Sequence, residues 1–362
     1  MSQGIVRMTG PDDPRLKDLR TTGHTTIREN NIYRKGTKFP TYPTNFVLTQ
    51  GGLGDYICHI PAFQWIAECH PHVQGRLFVT QPFYDVARFL MGKYPHWSVH
   101  RPGEIDKVIK KGEMVYSPAQ YIKYVDALGS HLMDLGFMMY ARLSTPPKGY
   151  NRMPNLTHYT SGKKWGLDKG KYVVITPNHT AETREFRGRY LNQLSNYIKD
   201  KGLLPVYLGK KDFASDEAGH KVNSDYHGRT DNVFNPQLGH DLRDMTTLLE
   251  SVEIMRDAAL VMGIDNGLLH FAGCTDVPII FGHTITEVEH RNIRREVGET
   301  INITPNRESL PCAGCQSRMR FNPGFDFKKC VYEDYLCIDA LFTNQCSTWK
   351  RAIDHILDGV NE

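Results

Sequence analysis

Three short clusters in this chain place chemically capable side chains directly after runs of apolar residues. In the first, TQGGLGDYICHIPAF at positions 49–63, Gly51, Gly52 and Gly54 crowd the turn into a helical pattern that carries Asp55. Glycines admit positive φ and leave no side chain between the backbone and an oxygen-rich ligand. A carboxylate there has two uses: general base toward a hydroxyl nucleophile, or cap for the free N–H groups of the helix start. GGLGD does not match the G-x-G-x-x-G dinucleotide fingerprint, so the loop alone leaves both uses open. Pro61 asks for a helix that starts within the preceding turn, because proline lacks an N–H and clashes with the turn before it.

The second cluster is LVMGIDNGLLHFAG at 260–273. A buried strand ends in Asp265, and Asn266 and Gly267 open a short helix bearing Leu268 and His270. Strand ends facing helix starts are where open α/β sheets bind ligands. The plainer alternative is a capped helix with a hydrogen-bonded buried histidine. The third cluster is TPNHTAETREFRGRYL at 176–191, again after a strand. Thr176 and Asn178 stand at its start, and Arg184, Arg187 and Arg189 precede a helix. Guanidinium forks suit phosphate oxygens; a solvated basic loop would read the same.

These clusters need a scaffold that ends strands at helix starts. FVLTQ, RLFVT and MVYS read as strands, alternating with the helical spacing of DYICHIPAFQWIAECH, PFYDVARFLMGKY and PAQYIKYVDALGSHLMDLGFMMYARL. The Pro-, Gly- and Lys-rich stretch STPPKGYNRMPNLTHYTSGKKWGLDKGK marks a domain boundary. After it YVVIT, LPVYLG, ALVMGI and PIIFG alternate with helical GRYLNQLSNYIKDKG, DLRDMTTLLESVEIMRDA and NGLLHFAGCT. Alternation of this kind predicts α/β architecture with parallel, doubly wound sheets. The expected organisation is an irregular extension over 1–45, a first domain over 46–160, a second over 161–345, and a C-terminal helix over 346–362.

Composition narrows the class. The 362 residues are 40% hydrophobic and 23% charged, as in globular proteins, and the net charge of +4 permits anionic substrates without announcing nucleic acid. No apolar run approaches membrane-spanning length, and MSQGIVRMTGPDDPRLKD lacks a signal-peptide core. A cytoplasmic protein is expected, in the host cytoplasm if the chain is virus-encoded. Eight cysteines suit a reducing compartment. Cys58, Cys69 and Cys274 read as core residues. Cys312 and Cys315 form a C-x-x-C pair, and Cys330, Cys337 and Cys346 follow at irregular spacing. Plain thiols, a structural zinc at Cys312, Cys315, Cys330 and Cys337, or a disulfide all fit.

Taken in order, the three clusters resemble glycosyltransferase family 9, the ADP-heptose–lipopolysaccharide heptosyltransferases. That family carries a GxGD loop before a helix with an early proline, then a strand with a small polar loop and a basic residue. D-[ST]-G-x-x-H-x-A and P-x-[VI]-x-x-[FW]-G follow. Here these are GGLGDYICHIPAF, VVITPNHTAETREFRGRYL and DNGLLHFAGCTDVPIIFG, spread over about residues 46–285. The resemblance implies the GT-B architecture, two Rossmann-like domains facing across a cleft. It implies an inverting transfer from a nucleotide-diphosphate sugar to a hydroxyl, with no cofactor and no catalytic metal.

Asp55 matches the family's general base. Gly267 and His270, with nearby backbone N–H groups, match the cradle for the donor diphosphate. Arg184 stands close to the place of a phosphate-reaching lysine, and Gly209 ends the strand beside the nucleotide, followed by Lys210. Substrate contacts are therefore expected from Gly51, Gly52 and Gly54 in the first domain. In the second they are expected from Thr176, Asn178, Arg184, Arg187, Gly209, Lys210, Asp265, Asn266, Gly267, Leu268 and His270. Two departures stand out: Asn266 replaces Ser or Thr, and Lys211 occupies an expected acidic position with Asp212 after it. The acceptor is a saccharide, such as a lipopolysaccharide core, or a hydroxymethylated base in DNA. Arg28, Arg34, Lys35 and Lys38 of the extension would serve the second. A sugar-nucleotide-binding protein without turnover is the non-enzymatic alternative.

Overall fold

The computed structural model describes residues 43–48, 52–110, 113–116, 131–141, 143, 146–177, 181–211, 234–316, 330, 332 and 335–359. Gly51, Asn178, Asp212 and the basic residues Arg28, Arg34, Lys35 and Lys38 lie outside these. The chain divides into two units between Pro154 and Asn155, rather than after residue 160.

In unit 1 the five residues of β1 (Thr44–Leu48) are all buried, as befits a strand covered on both faces of a parallel sheet. The strand takes in Thr44 and Asn45, which the sequence assigns to the extension; they pair with Gly75 and Arg76. β2 (Gly75–Val79), β3 (Trp97–His100) and β4 (Met114–Tyr116) complete a parallel sheet in the order β3-β2-β1-β4. Phe46 at its centre lies 5.4 Å from both the Trp97 and Tyr116 rings in stacked geometry. Helices α1 (Leu53–Cys69), α2 (Gln81–Met91), α3 (Ile105–Val108) and α4 (Leu132–Met139) accompany the sheet.

α1 corrects the proline expectation. The helix starts at Leu53, so Pro61 sits in its interior, where it costs about 3 kcal/mol. Burial outweighs that cost, since Tyr56, Ile57, Cys58, Ile60, Ala62 and Phe63 are all buried. Gly136 of α4 allows close approach there: a Cβ on it would stand 3.1 Å from His59 Cα. Cys69, read as core, is exposed because α1 ends on it; Cys58 and Cys274 are buried.

Unit 2 is a six-stranded parallel sheet in the order β10-β9-β8-β5-β6-β7. Its strands are β5 (Tyr172–Thr176), β6 (Leu204–Tyr207), β7 (His240–Asp241), β8 (Leu260–Ile264), β9 (Ile279–Gly282) and β10 (Thr300–Ile303). Its helices are α5 (Gly188–Asp200), α6 (Leu248–Arg256), α7 (Gly267–Ala272), α8 (Val288–Arg291), α9 (Leu336–Leu341) and α10 (Thr343–Gly359). Val173, Ile175, Leu194, Ile198, Met262, Ile280, Trp349 and Ile353 share one core, so the C-terminal helix belongs to this unit. α10 departs from helical geometry at Asn344, Gln345 and Cys346, which take φ of 49°, 55° and 64°.

α6 begins later than its sequence pattern. Thr247 and Glu250 form a capping box at its start, and the preceding residues instead supply β7 and a turn with Asp244 at φ 61°. Gly263 in β8 has no alternative: a Cβ there would stand 2.1 Å from Thr176 Oγ1 and 3.1 Å from Thr176 O. Gly263→Ala is expected to destabilise unit 2 by about 1–3 kcal/mol. Urea denaturation followed by circular dichroism checks this, and an unchanged midpoint would contradict the packing described.

Candidate active site

The strand orders locate the ligand edges. In unit 2 the chain runs from β5 through β6 to β7 on one side, then returns to β8, β9 and β10 on the other. The order reverses between β5 and β8, and the crevice beyond their carboxyl ends is the binding place of such sheets. Thr176 ends β5 opposite Gly263 of β8, so Thr176 and Asp265 flank that point. In unit 1 the reversal falls between β1 and β4, beyond whose carboxyl ends Gly52, Gly54 and Asp55 follow.

Asp265 is the electrostatic centre of unit 2. It is 2% exposed, and its backbone N–H donates to Gly282 O on β9 at 2.9 Å. Arg184 Nη1 lies 3.2 Å from its Oδ2 and His270 Nε2 lies 3.5 Å from its Oδ1. Thr286 Oγ1 donates to Oδ2 at 3.1 Å. Burial opposes ionisation, but Arg184, His270 and Arg291 outweigh it and hold the carboxyl well below the usual range. His283, directly after β9, is fully buried with Nε2 2.8 Å from Asn302 Oδ1. Burial pushes its imidazole down, against the pull of Asp265, so it stays neutral near pH 7.

Asn266 explains why an amide can stand where Ser or Thr is usual. Its Oδ1 accepts from Leu269 N–H at 3.2 Å, capping α7 as a hydroxyl would. Its Nδ2 also donates to Thr176 Oγ1 at 2.8 Å, joining the two strand ends at the reversal. Gly267 and Leu268 at the start of α7 are partly exposed. Gly209 takes φ 120° and points toward Leu268, whose Cδ1 would lie 3.7 Å from a Cβ there. Lys210 and Lys211 beside it are exposed. Lys211 Nζ pairs with Asp241 at 3.4 Å and its N–H donates to Asp244 at 2.9 Å.

The arginine loop divides its work. Arg184 turns inward to Asp265 and donates from Nη2 to Gln316 Oε1 at 2.5 Å. Arg187 instead meets Asp339 of α9, with Nη1 2.7 Å from both carboxylate oxygens. Arg189 and the Tyr190 hydroxyl donate to the same carboxylate at 2.6 and 2.7 Å. Thr176, Arg184, Asp265, Asn266 and His270 thus come together, while Arg187 is held by Asp339. Sequence reasoning missed His283, Thr286, Arg291 and Gln316. The strand-end rule applied to PIIFG would have found His283; Arg291 and Gln316 reach the site only through tertiary packing.

In unit 1 Asp55 is half-buried in the first turn of α1. Its Oδ2 accepts from Gly52 N–H at 2.8 Å, so the helix start fixes the carboxylate at the ligand edge of its sheet. The Cβ of any residue replacing Gly52 would stand 3.4 Å from that oxygen.

In the cysteine-rich segment, Cys312, Cys315 and Cys330 are half-buried and Cys337 is buried. Burial first, then the neighbouring thiols Cys315, Cys330 and Cys312, push Cys337 up to about 12. Among the described residues no three His, Cys, Asp or Glu side chains are arranged as a metal centre.

No protein-family model and no curated protein sequence matches the chain. Solved structures do. The iron-containing dodecameric glycosyltransferase TibC of enterotoxigenic E. coli matches with a TM-score of 0.64 at 15% identity, over 91% of this chain and 82% of that one. TibC has also been solved in complex with ADP-D-β-D-heptose. A family 9 glycosyltransferase of Veillonella parvula gives 0.54 at 10% identity, over 89% of this chain and 99% of that one. The E. coli ADP-heptose lipopolysaccharide heptosyltransferase II gives 0.53 at 10% identity, over 89% and 100%. The likeness to family 9 read from the sequence therefore holds at the level of fold: two doubly wound α/β units, as in these glycosyltransferase structures.

The Asp265 ion pair sets an acid dependence. A carboxyl whose folded value is depressed contributes stability above its ordinary range and loses it as pH falls toward the folded value. Asp265→Asn is expected to cost about 3–5 kcal/mol at pH 7, because it leaves Arg184 without its carboxylate. It should also flatten the decline in stability below about pH 4, where unfolded carboxyls protonate. Denaturation midpoints from pH 2 to 8 check both; parallel curves for the two proteins would contradict the ionised pair.

Proposed function

We propose that the chain is an inverting glycosyltransferase that takes its sugar from a nucleotide diphosphate. The observation that carries this reading is the group of Thr176, Arg184, Asp265, Asn266 and His270 at the strand-order reversal of unit 2. The fold is one that TibC, solved with ADP-heptose, shares. When the acceptor oxygen attacks the anomeric carbon, the bond to the donor phosphate breaks and negative charge develops on the departing diphosphate. Oriented N–H groups and positive side chains stabilise that charge. Gly267, Leu268, His270 and Arg184 are the groups for this role, with Gly209 and Lys210 toward the nucleotide; Arg187, held by Asp339, is left out of it.

Asp55 is the base that takes the acceptor proton. Its hydrogen bond from Gly52 N–H fixes the orientation of the side chain, which serves both helix start and proton acceptor. A saccharide is the proposed acceptor, as for the lipopolysaccharide heptosyltransferase among the structural neighbours. The residues proposed for DNA lie outside those described. Among the described residues no helix is long and apolar enough to cross a membrane, and a cytoplasmic place of action is part of this proposal. Transfer is proposed to need no catalytic metal. Among the described residues, Cys312, Cys315, Cys330 and Cys337 do not form a group that could hold a metal ion, and plain thiols are the state proposed for them.

Asp55→Asn keeps the shape and the cap but cannot take a proton. It is expected to lower turnover at least about a hundredfold with little change in donor affinity; near-normal turnover would remove Asp55 as the base. Calorimetric titration with nucleoside diphosphates should show weaker binding in His270→Ala and Arg184→Ala. Unchanged affinity in both would reject the donor site. Activity should persist in EDTA while the fold holds, and elemental analysis of the purified protein tests the plain thiols.

A further inference from the structure

The cysteine-bearing stretch after residue 310 is joined to the arginine loop at several points. Gly314 N–H donates to Thr284 O at 3.1 Å and Gln316 N–H to Ile285 O at 2.9 Å. Thr284 Oγ1 in turn donates to Thr183 O at 2.6 Å, next to Arg184. Gln316, directly after Cys315, is 3% exposed and offers its amide oxygen to Arg184 Nη2 at 2.5 Å. Two positions after Cys337, Asp339 gathers Arg187, Arg189 and Tyr190.

The consequence follows from guanidinium geometry. The group is planar, with donors in a fixed fork. Asp265 faces Nη1 at 3.2 Å and Gln316 takes Nη2, so two acceptors from distant parts of the sequence set the plane of one buried cation. Gln316 adds a second fixed contact to the one that Asp265 makes, and the two together constrain the plane more than either does alone. Preorganised charge is what a departing diphosphate needs, so the orientation of Arg184 bears directly on the donor site.

We propose that Gln316 positions the donor site by holding Arg184 in register with Asp265, with Asp339 the anchor of the same loop. This rests on the donor-site reading above. Gln316 is a positioning residue, acting through Arg184.

The test compares Gln316→Leu, which removes the acceptor at similar size, with Gln316→Glu, which keeps an acceptor oxygen. Each is titrated by calorimetry with ADP, UDP and GDP, and amide hydrogen exchange is followed over residues 181–187. Thermal melts confirm folding. The Leu variant should bind the preferred nucleotide about tenfold more weakly, the effect of losing a hydrogen bond to a charged group. Exchange over 181–187 should speed up, and the Glu variant should restore both. Equal loss in the two variants, or no loss in either, overturns the proposal. A wild-type protein that binds none of the three nucleotides removes the donor reading and this proposal with it. Wild-type binding with an unaffected Leu variant removes the proposal alone.

Discussion

A carboxylate sealed from water must be matched by cations and donors or give up its charge. Asp265 keeps its charge, and much of the ligand edge of unit 2 is arranged to make that possible. Arg184 arrives from the loop after β5, His270 from α7, and Thr286 and Arg291 from the stretch after β9. One carboxylate thus ties three strand ends to one point. It also turns Arg184 inward, where a free basic loop would face solvent.

The rest of the unit serves that point in layers. Parallel strands deliver their carboxyl ends to one edge, and the reversal between β5 and β8 opens a crevice there. Gly263 lets Thr176 close on β8, and Asn266 bonds the two strand ends while capping α7. Beyond them, Gln316 and Asp339 fix Arg184 and Arg187 from a part of the chain more than a hundred residues later. Unit 1 has its own version on a smaller scale, in which the helix after β1 binds Asp55 to Gly52.

The long strands and their ends were legible because apolar runs such as YVVIT and ALVMGI are unambiguous when a sheet is covered on both faces. The strands missed were β3, β7 and β10, with the sequences WSVH, HD and TINI. Each is an edge strand of two to four residues, paired on one side, and too short for a periodic signal. Pro61 misled because local cost was read without the burial that offsets it. At the site, Asp265, Asn266, Gly267 and His270 were legible as one contiguous motif, and Arg184 as a strand-end basic residue. What Arg184 touches was not legible, since Gln316 and Arg291 enter by packing. The same limit applied to Arg187, whose partner Asp339 lies on a helix that no motif marks.

The central claim is that the crevice beyond β5 and β8 receives the diphosphate of a nucleotide sugar. A crystal structure of the chain with a bound nucleoside diphosphate tests it most directly. The account predicts the phosphates at the carboxyl edge of unit 2, within hydrogen-bonding reach of the Gly267–His270 stretch, with Arg184 still paired to Asp265. Phosphates bound elsewhere on the chain, or bound there with the Arg184–Asp265 pair absent, would contradict it.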